Sequence, residues 1–314
     1  MLYTKHVNPR KKLLLALLFI TSLVIVFLIL ISTDLFDSKP IMPISPTADY
    51  LDADLPIETR VASLLSYMTL EEKLGQMALV EKNSLTEVSD IQDYHLGALL
   101  SGSGAKPEEN TTSGWKQMTD TYQAEAAKSR LAIPLLYGSD AIHGHAHVTG
   151  VTVFPHAIGL GAAGNSQLVE NIAVATAEQM SATGVNWNFA PNLDTPQDIR
   201  WGRVYETFSD DPVLVSKLGA AFVTGLQSSE QHRVLATPKH FVGLGGMGWD
   251  TSLNENFTID QGVTAADETL LNEVYLPPFK AAVDAGALSI MAGLNTWGDT
   301  KTVRDKHLLT GVLK

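Results

Sequence analysis

The sequence predicts an α/β protein folded as a (β/α)8 barrel of the TIM type, and three observations support this. Short apolar segments of strand length alternate with longer segments of helical spacing, a pattern typical of a buried parallel sheet. A doubly wound sheet also fits that alternation. Polar side chains follow nearly every apolar segment, however, as they do at the active-site end of a barrel. No G-x-G-x-x-G sequence follows the first strand, so a dinucleotide-binding fold lacks its fingerprint.

The individual elements follow from the same pattern. Strands are predicted at 96–102, 133–140, 185–191, 233–241 and 287–295. Helices are predicted at 57–68, 70–79, 115–129, 167–184, 211–227 and 266–286. Pro277 and Pro278 predict a break in the last of these, because proline removes a backbone donor. A further helical pattern starts at Asp305 and is still running at Lys314, so the barrel is expected to be incomplete at its C-terminus.

Composition excludes several classes of function. The 314 residues carry a net charge of −12, which argues against a nucleic-acid partner, since such sites are built from clustered Lys and Arg. There is no cysteine, so disulfides, thiolate catalysis and cysteine-bound zinc are all excluded. A hydrophobic content of 45% with 18% charged residues is typical of a globular domain.

The N-terminus predicts a membrane anchor. Basic residues precede an uncharged, strongly apolar run at 13–32, which matches the roughly 20 residues that a spanning helix needs. The basic side is expected to stay in the cytoplasm, so that the remainder is exported. A cleaved signal peptide, giving a secreted protein, is the alternative. The predicted organisation is a cytoplasmic basic segment at 1–12, a transmembrane signal anchor at 13–32, a proline-containing tether at 33–50 and the barrel domain at 51–314.

Three histidines stand close together in the segment 139-SDAIHGHAHV-148, directly after Asp140. On a strand, His143, His145 and His147 would share one face and could converge on a metal, as in a metal-dependent barrel hydrolase. The glycine at 144 and the segment after the histidines indicate instead that the strand has already turned into a loop. Packed or hydrogen-bonded histidines are therefore the favoured interpretation, and the metal site is the alternative.

A Lys-His pair ends another predicted strand, in 238-PKHFVGLGG-246. The order of residues is wrong for a nucleotide-binding P-loop. Lys239 and His240 instead offer several hydrogen-bond donors at one pole of a pocket, which suits hydroxyl groups as well as phosphate. The structural alternative is that Lys239 pairs with a buried carboxylate.

Arginine and tryptophan combine in the loop segment 198-DIRWGRVYETFSDDP-212. Arg203 could contact a ligand with both arms of its guanidinium group, and Trp201 offers a flat apolar face. The structural alternative is an ion pair of Arg200 or Arg203 with Glu206. Together with the other strand ends, these groups supply the carboxylates, amides, cations and rings that typically bind carbohydrate.

From about residue 50 to residue 314 the chain resembles glycoside hydrolase family 3, of the β-glucosidase and glucan exohydrolase type. The resemblance rests on several segments in one order, among them 60-RVASLLSYMTLEEKLGQM-77, 138-GSDAIHGHAHV-148, 189-FAPNLD-194, 200-RWGRVYETFSDDP-212, 238-PKHFVG-243 and 308-LLTGVLK-314. It implies a β-linked glucoside or oligosaccharide as substrate, retaining hydrolysis of its O-glycosyl bond, and no metal or cofactor. It also implies four substrate-binding residues, namely Asp140, Arg203, Lys239 and His240.

The chain departs from the family pattern at two places. The usual K-H-F-x-G-D-G-G-T has Leu244 and Met247 for its aspartate and threonine, and Leu294 stands where a tyrosine is common. The resemblance further implies that the nucleophilic aspartate and the acid/base residue come after Lys314. Retaining hydrolysis needs both carboxyl groups, so the chain by itself is expected to be inactive. A non-catalytic, membrane-anchored sugar-binding module is the second interpretation.

Overall fold

A computed structural model describes residues 43–45, 47–102, 104–252 and 254–314. The predicted cytoplasmic segment and membrane anchor, with the first part of the tether, lie outside these residues. Within the described ranges, no helix combines the length and apolar character needed to span a membrane. The chain divides into two compact units, Met1–Leu70 and Glu71–Lys314.

The described part of the first unit is built around helix α1, Ile57–Tyr67, which follows the short 3₁₀-helix Asp49–Leu51. The Arg60 guanidinium donates two hydrogen bonds of 3.2 Å to the Tyr50 carbonyl, and the Tyr50 ring packs edge-on against Tyr67. These contacts hold the segment before α1 onto the helix, and the helix predicted at 57–68 is confirmed.

The remaining helices match most of the predicted ones. They are α2 Leu70–Gln76, α3 Asp90–Asp93, α4 Thr112–Ala126, α5 Ala157–Ala163, α6 Ser166–Ala182, α7 Pro212–Gln227, α8 Glu268–Leu270 and α9 Leu276–Asp284. Four of them begin at a side-chain cap that accepts a backbone N–H, supplied by Thr111, Asn165, Asp211 and Asp267. Such caps satisfy donors that the first helical turn leaves unpaired.

The strands are short. They are β1 Leu79–Glu81, β2 Ala98–Ser101, β3 Leu136–Ser139, β4 Trp187–Asn188, β5 Leu235–Ala236, β6 Lys239–Phe241, β7 Val263–Thr264, β8 Met291–Ala292, β9 Thr296–Trp297 and β10 Thr300–Lys301. Strand β1 occupies residues where the second helix was predicted to continue. That helix ends earlier, at Gln76.

The main sheet has five parallel strands in the order β1-β2-β3-β4-β5, so each strand neighbours the next one along the chain. The parallel arrangement continues beyond β5: Asn192 forms a parallel bridge with Lys239 of β6, and β6 pairs in parallel with β8. A doubly wound sheet reverses its strand order at a switch point, whereas this order does not reverse. The predicted α/β barrel class is therefore confirmed.

The core lies between the sheet and the surrounding helices. Trp115 of α4, Tyr137 of β3 and Phe222 of α7 are among its largest fully buried side chains. Helices α6 and α7 approach closely because Gly225 has no side chain; a Cβ there would collide with the Glu170 carbonyl. This packing fixes the strands whose ends form the site described below.

The predicted break at Pro277 and Pro278 is wrong. The chain passes from α8 through a π-helical turn, Leu271–Tyr275, directly into α9, and both prolines lie in the first turn of α9. The helix therefore continues through the prolines, and a change from π-helical to α-helical hydrogen bonding directly before them takes the place of a break. A second π-helical turn, His307–Val312, occupies the last predicted helix.

Candidate active site

The four residues expected to bind substrate all lie where parallel strands end. Asp140 follows β3 directly, and Lys239 and His240 belong to β6. Arg203 immediately precedes the 3₁₀-helix Val204–Glu206, in the loop after β4. β3 pairs with β4, and Asn192 beyond β4 forms a parallel bridge with Lys239 of β6, so the carboxyl ends of these parallel segments lie on the same side of the sheet.

Lys239 and Asp140 form an ion pair, with 2.5 Å between Nζ and Oδ1. The Lys239 side chain is 4% exposed and that of Asp140 is 40% exposed. The buried ammonium group therefore holds a carboxylate that still reaches solvent. The structural alternative had Lys239 paired with a buried carboxylate; its partner is a carboxylate, but one that is partly exposed and open to a ligand.

His240 is oriented by Asp194. Its Nδ1 lies 2.8 Å from Asp194 Oδ2, and its backbone N–H donates to Asp194 Oδ1 at 3.4 Å. Asp194 in turn is fixed by Asn192, whose Oδ1 accepts the Asp194 backbone N–H at 2.8 Å. Since a carboxylate only accepts, the Nδ1–H of His240 donates to Asp194, which leaves Nε2 as the ring nitrogen that faces away from Asp194.

Arg203 grips Glu206 with both arms of its guanidinium group, at 2.6 Å from Nε and 2.7 Å from Nη2. Burial disfavours both charges, but the hydrogen bonds outweigh it. The pKa of Arg203 is raised because burial is overcome by Glu206 and by the charges of Asp194 and Asp140. The pKa of Glu206 is lowered because burial is overcome by Arg203, Lys239 and His240. Both groups stay charged at neutral pH.

One further contact joins these pairs: Arg203 Nη1 lies 3.4 Å from His240 Nε2. Asp194, His240, Arg203 and Glu206 are thus joined by side-chain contacts, and the Asp140–Lys239 pair lies next to them because Lys239 precedes His240 in β6; these six residues are called the network below. The arrangement offers acceptors and donors side by side, as vicinal hydroxyl groups require. Its three carboxylates are all held by basic side chains.

Sequence reasoning did not assign Asp194 and Glu206 a role. Asp194 lies in the segment 189-FAPNLD-194 of the family resemblance without an assigned role, and Glu206 was expected only as a possible ion-pair partner of an arginine. The spacing of three residues between Arg203 and Glu206 was the available signal, because a helical turn brings such residues together. No local pattern links Asp194 to His240, which lies 46 residues away.

The expected ligand-facing role of Trp201 is wrong. Its side chain is 3% exposed and packs in an apolar cluster with Leu244, Met247 and Ile259. This cluster also contains both residues that depart from the family's polar loop. Leu244 and Met247, which replace polar residues of the family pattern, therefore pack against Trp201. The three apolar side chains shield one another from water.

The histidine run does not converge. β3 ends at Ser139, so the alternation of a strand no longer applies to the histidines that follow. His145 is buried edge-on against Trp115, with ring centroids 5.1 Å apart. His143 Nδ1 lies 3.0 Å from the Phe154 carbonyl, and its ring packs on His156. In the part of the chain that the structure describes, no three His, Asp or Glu side chains are grouped to hold a metal ion.

With this geometry in view, comparison with known proteins is decisive. Residues 69–314 match the model of the glycosyl hydrolase family 3 N-terminal domain. The chain belongs to glycosyl hydrolase family 3. Among curated relatives of this family 3 chain, a periplasmic β-glucosidase of Salmonella typhimurium is 32% identical over 81% of the chain and 31% of its own length. A lysosomal β-glucosidase of Dictyostelium discoideum is 31% identical over 74% of the chain and 31% of its own length.

Solved family 3 structures agree in fold. An exo-1,3/1,4-β-glucanase from a Pseudoalteromonas species superposes with a TM-score of 0.75 at 36% identity, covering 88% of this chain and 34% of its own. A β-glucosidase from Listeria innocua, crystallised with isofagomine, gives a TM-score of 0.67 at 29% identity, covering 82% of this chain and 35% of its own. The family 3 chain thus spans about a third of the length of these relatives.

Proposed function

We propose that this family 3 domain binds the non-reducing-end sugar of β-linked glucosides or glucans, and that the enzyme containing it hydrolyses the O-glycosyl bond with retention. One observation carries most weight. The four side chains expected to bind the sugar, up to 100 residues apart in the sequence, form two contacting pairs, Asp140–Lys239 and Arg203–His240, and the adjacent residues Lys239 and His240 bring the two pairs together. The relatives include proteins named β-glucosidase and exo-β-glucanase, which supports the substrate class.

Each residue has a distinct proposed role. Asp140 accepts hydrogen bonds from sugar hydroxyl groups, and the buried Lys239 fixes the carboxylate in place. Arg203 donates from its partly exposed guanidinium group, which Glu206 holds in a single orientation. His240 presents Nε2 because Asp194 accepts from its Nδ1–H. Preformed donors and acceptors of this kind bind hydroxyl groups without having to reorganise.

A non-catalytic sugar-binding module is the second candidate, and one observation favours it. Asp140, Asp194 and Glu206 all serve as ion-pair partners in the network, whereas retaining hydrolysis uses two carboxyl groups roughly 5–5.5 Å apart for attack and protonation. The expectation that the nucleophile follows Lys314 stays a prediction. It belongs to the hydrolase proposal.

Export is also proposed. The Salmonella relative is named as periplasmic, and the basic segment at 1–12 precedes the apolar run at 13–32. Membrane anchoring through 13–32 is the finer part of this proposal. It predicts that the native protein stays with the membrane after washing in high salt and is released only by detergent. Release as a protein shortened at its N-terminus would support the cleaved-signal alternative.

Two measurements test the proposed function. Calorimetry of the 314-residue chain with glucose should show binding, and Asp140→Asn should abolish it. The intact polypeptide from its native source should hydrolyse an aryl β-glucoside and release the β-anomer of glucose first. Glucose binding without any turnover by the native polypeptide would favour the sugar-binding module, and absence of both would contradict the two proposals together.

A further inference from the structure

An exposed aromatic ring lies outside the network described above. Trp249, in the loop between β6 and β7, is 48% exposed. The guanidinium carbon of Arg200 lies 3.8 Å from the centroid of its ring. A guanidinium group on the face of an indole is a favourable cation–π arrangement. Arg200 therefore covers one face of the tryptophan, and the residue still keeps about half of its surface exposed.

The covering arginine is itself fixed. Arg200 Nε lies 2.8 Å from Asp198 Oδ1, and Nη2 lies 2.5 Å from Asp198 Oδ2. Side-chain and backbone hydrogen bonds from Arg200 lower the pKa of Asp198 to about 2. The carboxylate thus stays ionised and keeps Arg200 in place over a wide pH range. The ring and its support are arranged before any ligand arrives.

The loop that carries Trp249 is pinned on both sides of the ring. The Gly248 N–H donates to the Val263 carbonyl at 2.9 Å, and the Asp250 N–H donates to the Thr258 carbonyl at 3.1 Å. Thr251 Oγ1 donates to the Gly248 carbonyl at 2.7 Å. A side chain flanked by such bonds loses little freedom on binding a ligand, which reduces the entropic cost of association.

The apolar cluster connects this loop to the proposed sugar site. Trp201 follows Arg200 directly and packs with Leu244 and Met247 of the Trp249 loop. Val204, next to Arg203, packs against the same cluster. Leu244 and Met247, which replace the family's aspartate and threonine, therefore pack the loop of Trp249 against the loop of Arg203. Both loops leave the carboxyl ends of barrel strands.

We propose that Trp249 and Arg200, here called the Trp249 platform, bind a second sugar ring of a β-linked glucan outside the site of Asp140, Arg203, Lys239 and His240. This inference rests on the proposed function and narrows its substrate to chains longer than one sugar. A β-linked pyranose has apolar C–H faces and polar edges. Its face matches the indole, and its hydroxyl groups can accept from the guanidinium group of Arg200, which is 54% exposed.

A protein partner fits this surface less well. Protein interfaces are built around a large apolar patch with a desolvated centre, whereas the Trp249 platform is a single ring backed by an ion pair. A rigid aromatic ring with polar neighbours suits one flat, hydroxylated ring. Sugar stacking is therefore the interpretation that uses all of these features.

The test compares short and long ligands on the 314-residue chain. Glucose and the β-1,3- and β-1,4-linked glucose pentasaccharides are titrated by calorimetry into wild type, Trp249→Ala and Trp249→Phe. We expect Trp249→Ala to weaken pentasaccharide binding about three- to tenfold and to leave glucose binding unchanged. Trp249→Phe should keep most of the affinity because a flat ring remains. Leu288→Ala, a highly exposed apolar residue before β8, is the matched surface control.

The outcomes separate this inference from the proposed function. Equal pentasaccharide affinity of wild type and Trp249→Ala would overturn the platform and leave the proposed function standing. Loss of glucose and pentasaccharide binding together in a folded Trp249→Ala would also overturn it, because the ring would then belong to the first sugar site. If wild type binds neither glucose nor pentasaccharide, both proposals fall. Circular dichroism and thermal unfolding establish that each variant is folded.

Discussion

Lys239 and Asp140 lie 99 residues apart in the sequence, yet their side chains meet at 2.5 Å. The order of the strands brings this about: Asp140 follows β3, Lys239 begins β6, and the β4 segment between them pairs with β3 and bridges to β6. The lysine is buried and the aspartate is partly open to solvent. Such an ion pair is suited to binding a ligand, because Asp140 is exposed enough to accept from it while the buried Lys239 fixes the position of Asp140. Its contribution to stability is smaller, since water screens the exposed carboxylate.

Asp140→Asn is predicted to weaken glucose binding by at least about 2 kcal/mol, since it removes a charged acceptor and leaves a buried ammonium group unpaired. The free energy of unfolding should fall by about 1–2 kcal/mol, less than for a fully buried pair because water screens Asp140. Calorimetry with glucose and urea unfolding measure the two effects.

The matched control is Asp120→Asn. Asp120 pairs with Lys116 on the exposed face of α4, and loss of such a surface pair should change stability by less than about 1 kcal/mol. Glucose affinity should stay that of wild type. If Asp140→Asn bound glucose as tightly as this control, the proposed role of Asp140 would be wrong.

Glu206→Gln is predicted to reduce stability by about 1–2 kcal/mol at pH 7, because Arg203 loses a charged partner that accepts at both arms. The loss should depend on pH with a definite sign. The pKa of Glu206 is lowered in the folded state from its ordinary 4.5. Its contribution is therefore complete above that value and disappears as the pH falls further. Urea unfolding between about pH 7 and pH 3 should show wild type and variant converging.

Glu230→Gln is the control for Glu206→Gln. Glu230 is exposed in the turn after α7, and its removal should leave stability nearly unchanged at each pH. A difference between wild type and Glu206→Gln that stays constant down to pH 3 would contradict the charge-based explanation. The loss would then come from packing alone.

Sequence patterns predicted the class of fold and placed polar residues at the strand ends for a physical reason, whereas the choice of Asp140, Arg203, Lys239 and His240 came from the family resemblance. Buried parallel strands are near-continuous apolar runs, and polar residues at their ends can only be there for a ligand or for each other. The main helices followed from apolar periodicity, although Pro277 and Pro278 misled because the helix continues through them after a π-helical turn.

The sequence alone could not predict which side chains of the site pair with one another. Which carboxylate holds Lys239, and that Asp194 rather than another residue orients His240, depends on distances set by the packing of the strands. Trp201 shows the same limit. A tryptophan in a polar loop is typical of a ligand platform, but this one is buried because Leu244 and Met247 come from a separate loop to cover it.

Leu244→Ala is predicted to destabilise the domain by about 2–3 kcal/mol, because Leu244 is 5% exposed within a small cluster that has few other apolar contacts to compensate. Leu294→Ala, at the other departure from the family pattern, should change stability by less than about 0.5 kcal/mol because Leu294 is 52% exposed. Urea unfolding at pH 7 compares the two. Equal effects would mean that Leu244 is not part of a buried cluster.

His145→Phe is predicted to make the protein more resistant to mild acid. Burial, followed by the charge of His147, lowers the pKa of His145 to about 4 from an ordinary 6.5. Between these values the unfolded chain binds a proton that the folded one does not. The free energy of unfolding of wild type therefore falls by about 2 kcal/mol between pH 7 and pH 5 because of His145. Phenylalanine keeps the aromatic contact with Trp115 and removes the titration.

The substitution should also be tolerated at pH 7. Both ring nitrogens of His145 are buried with no hydrogen-bond partner among the described residues, so an apolar ring sacrifices no bond and relieves two unpaired polar atoms. His307→Gln, which removes an exposed histidine paired with Glu268, is the control and should retain the wild-type acid sensitivity. If His145→Phe lost as much stability as wild type between pH 7 and pH 5, another group would be responsible. A large loss at pH 7 would mean instead that the imidazole makes a polar contact, through water for example, that phenylalanine cannot replace.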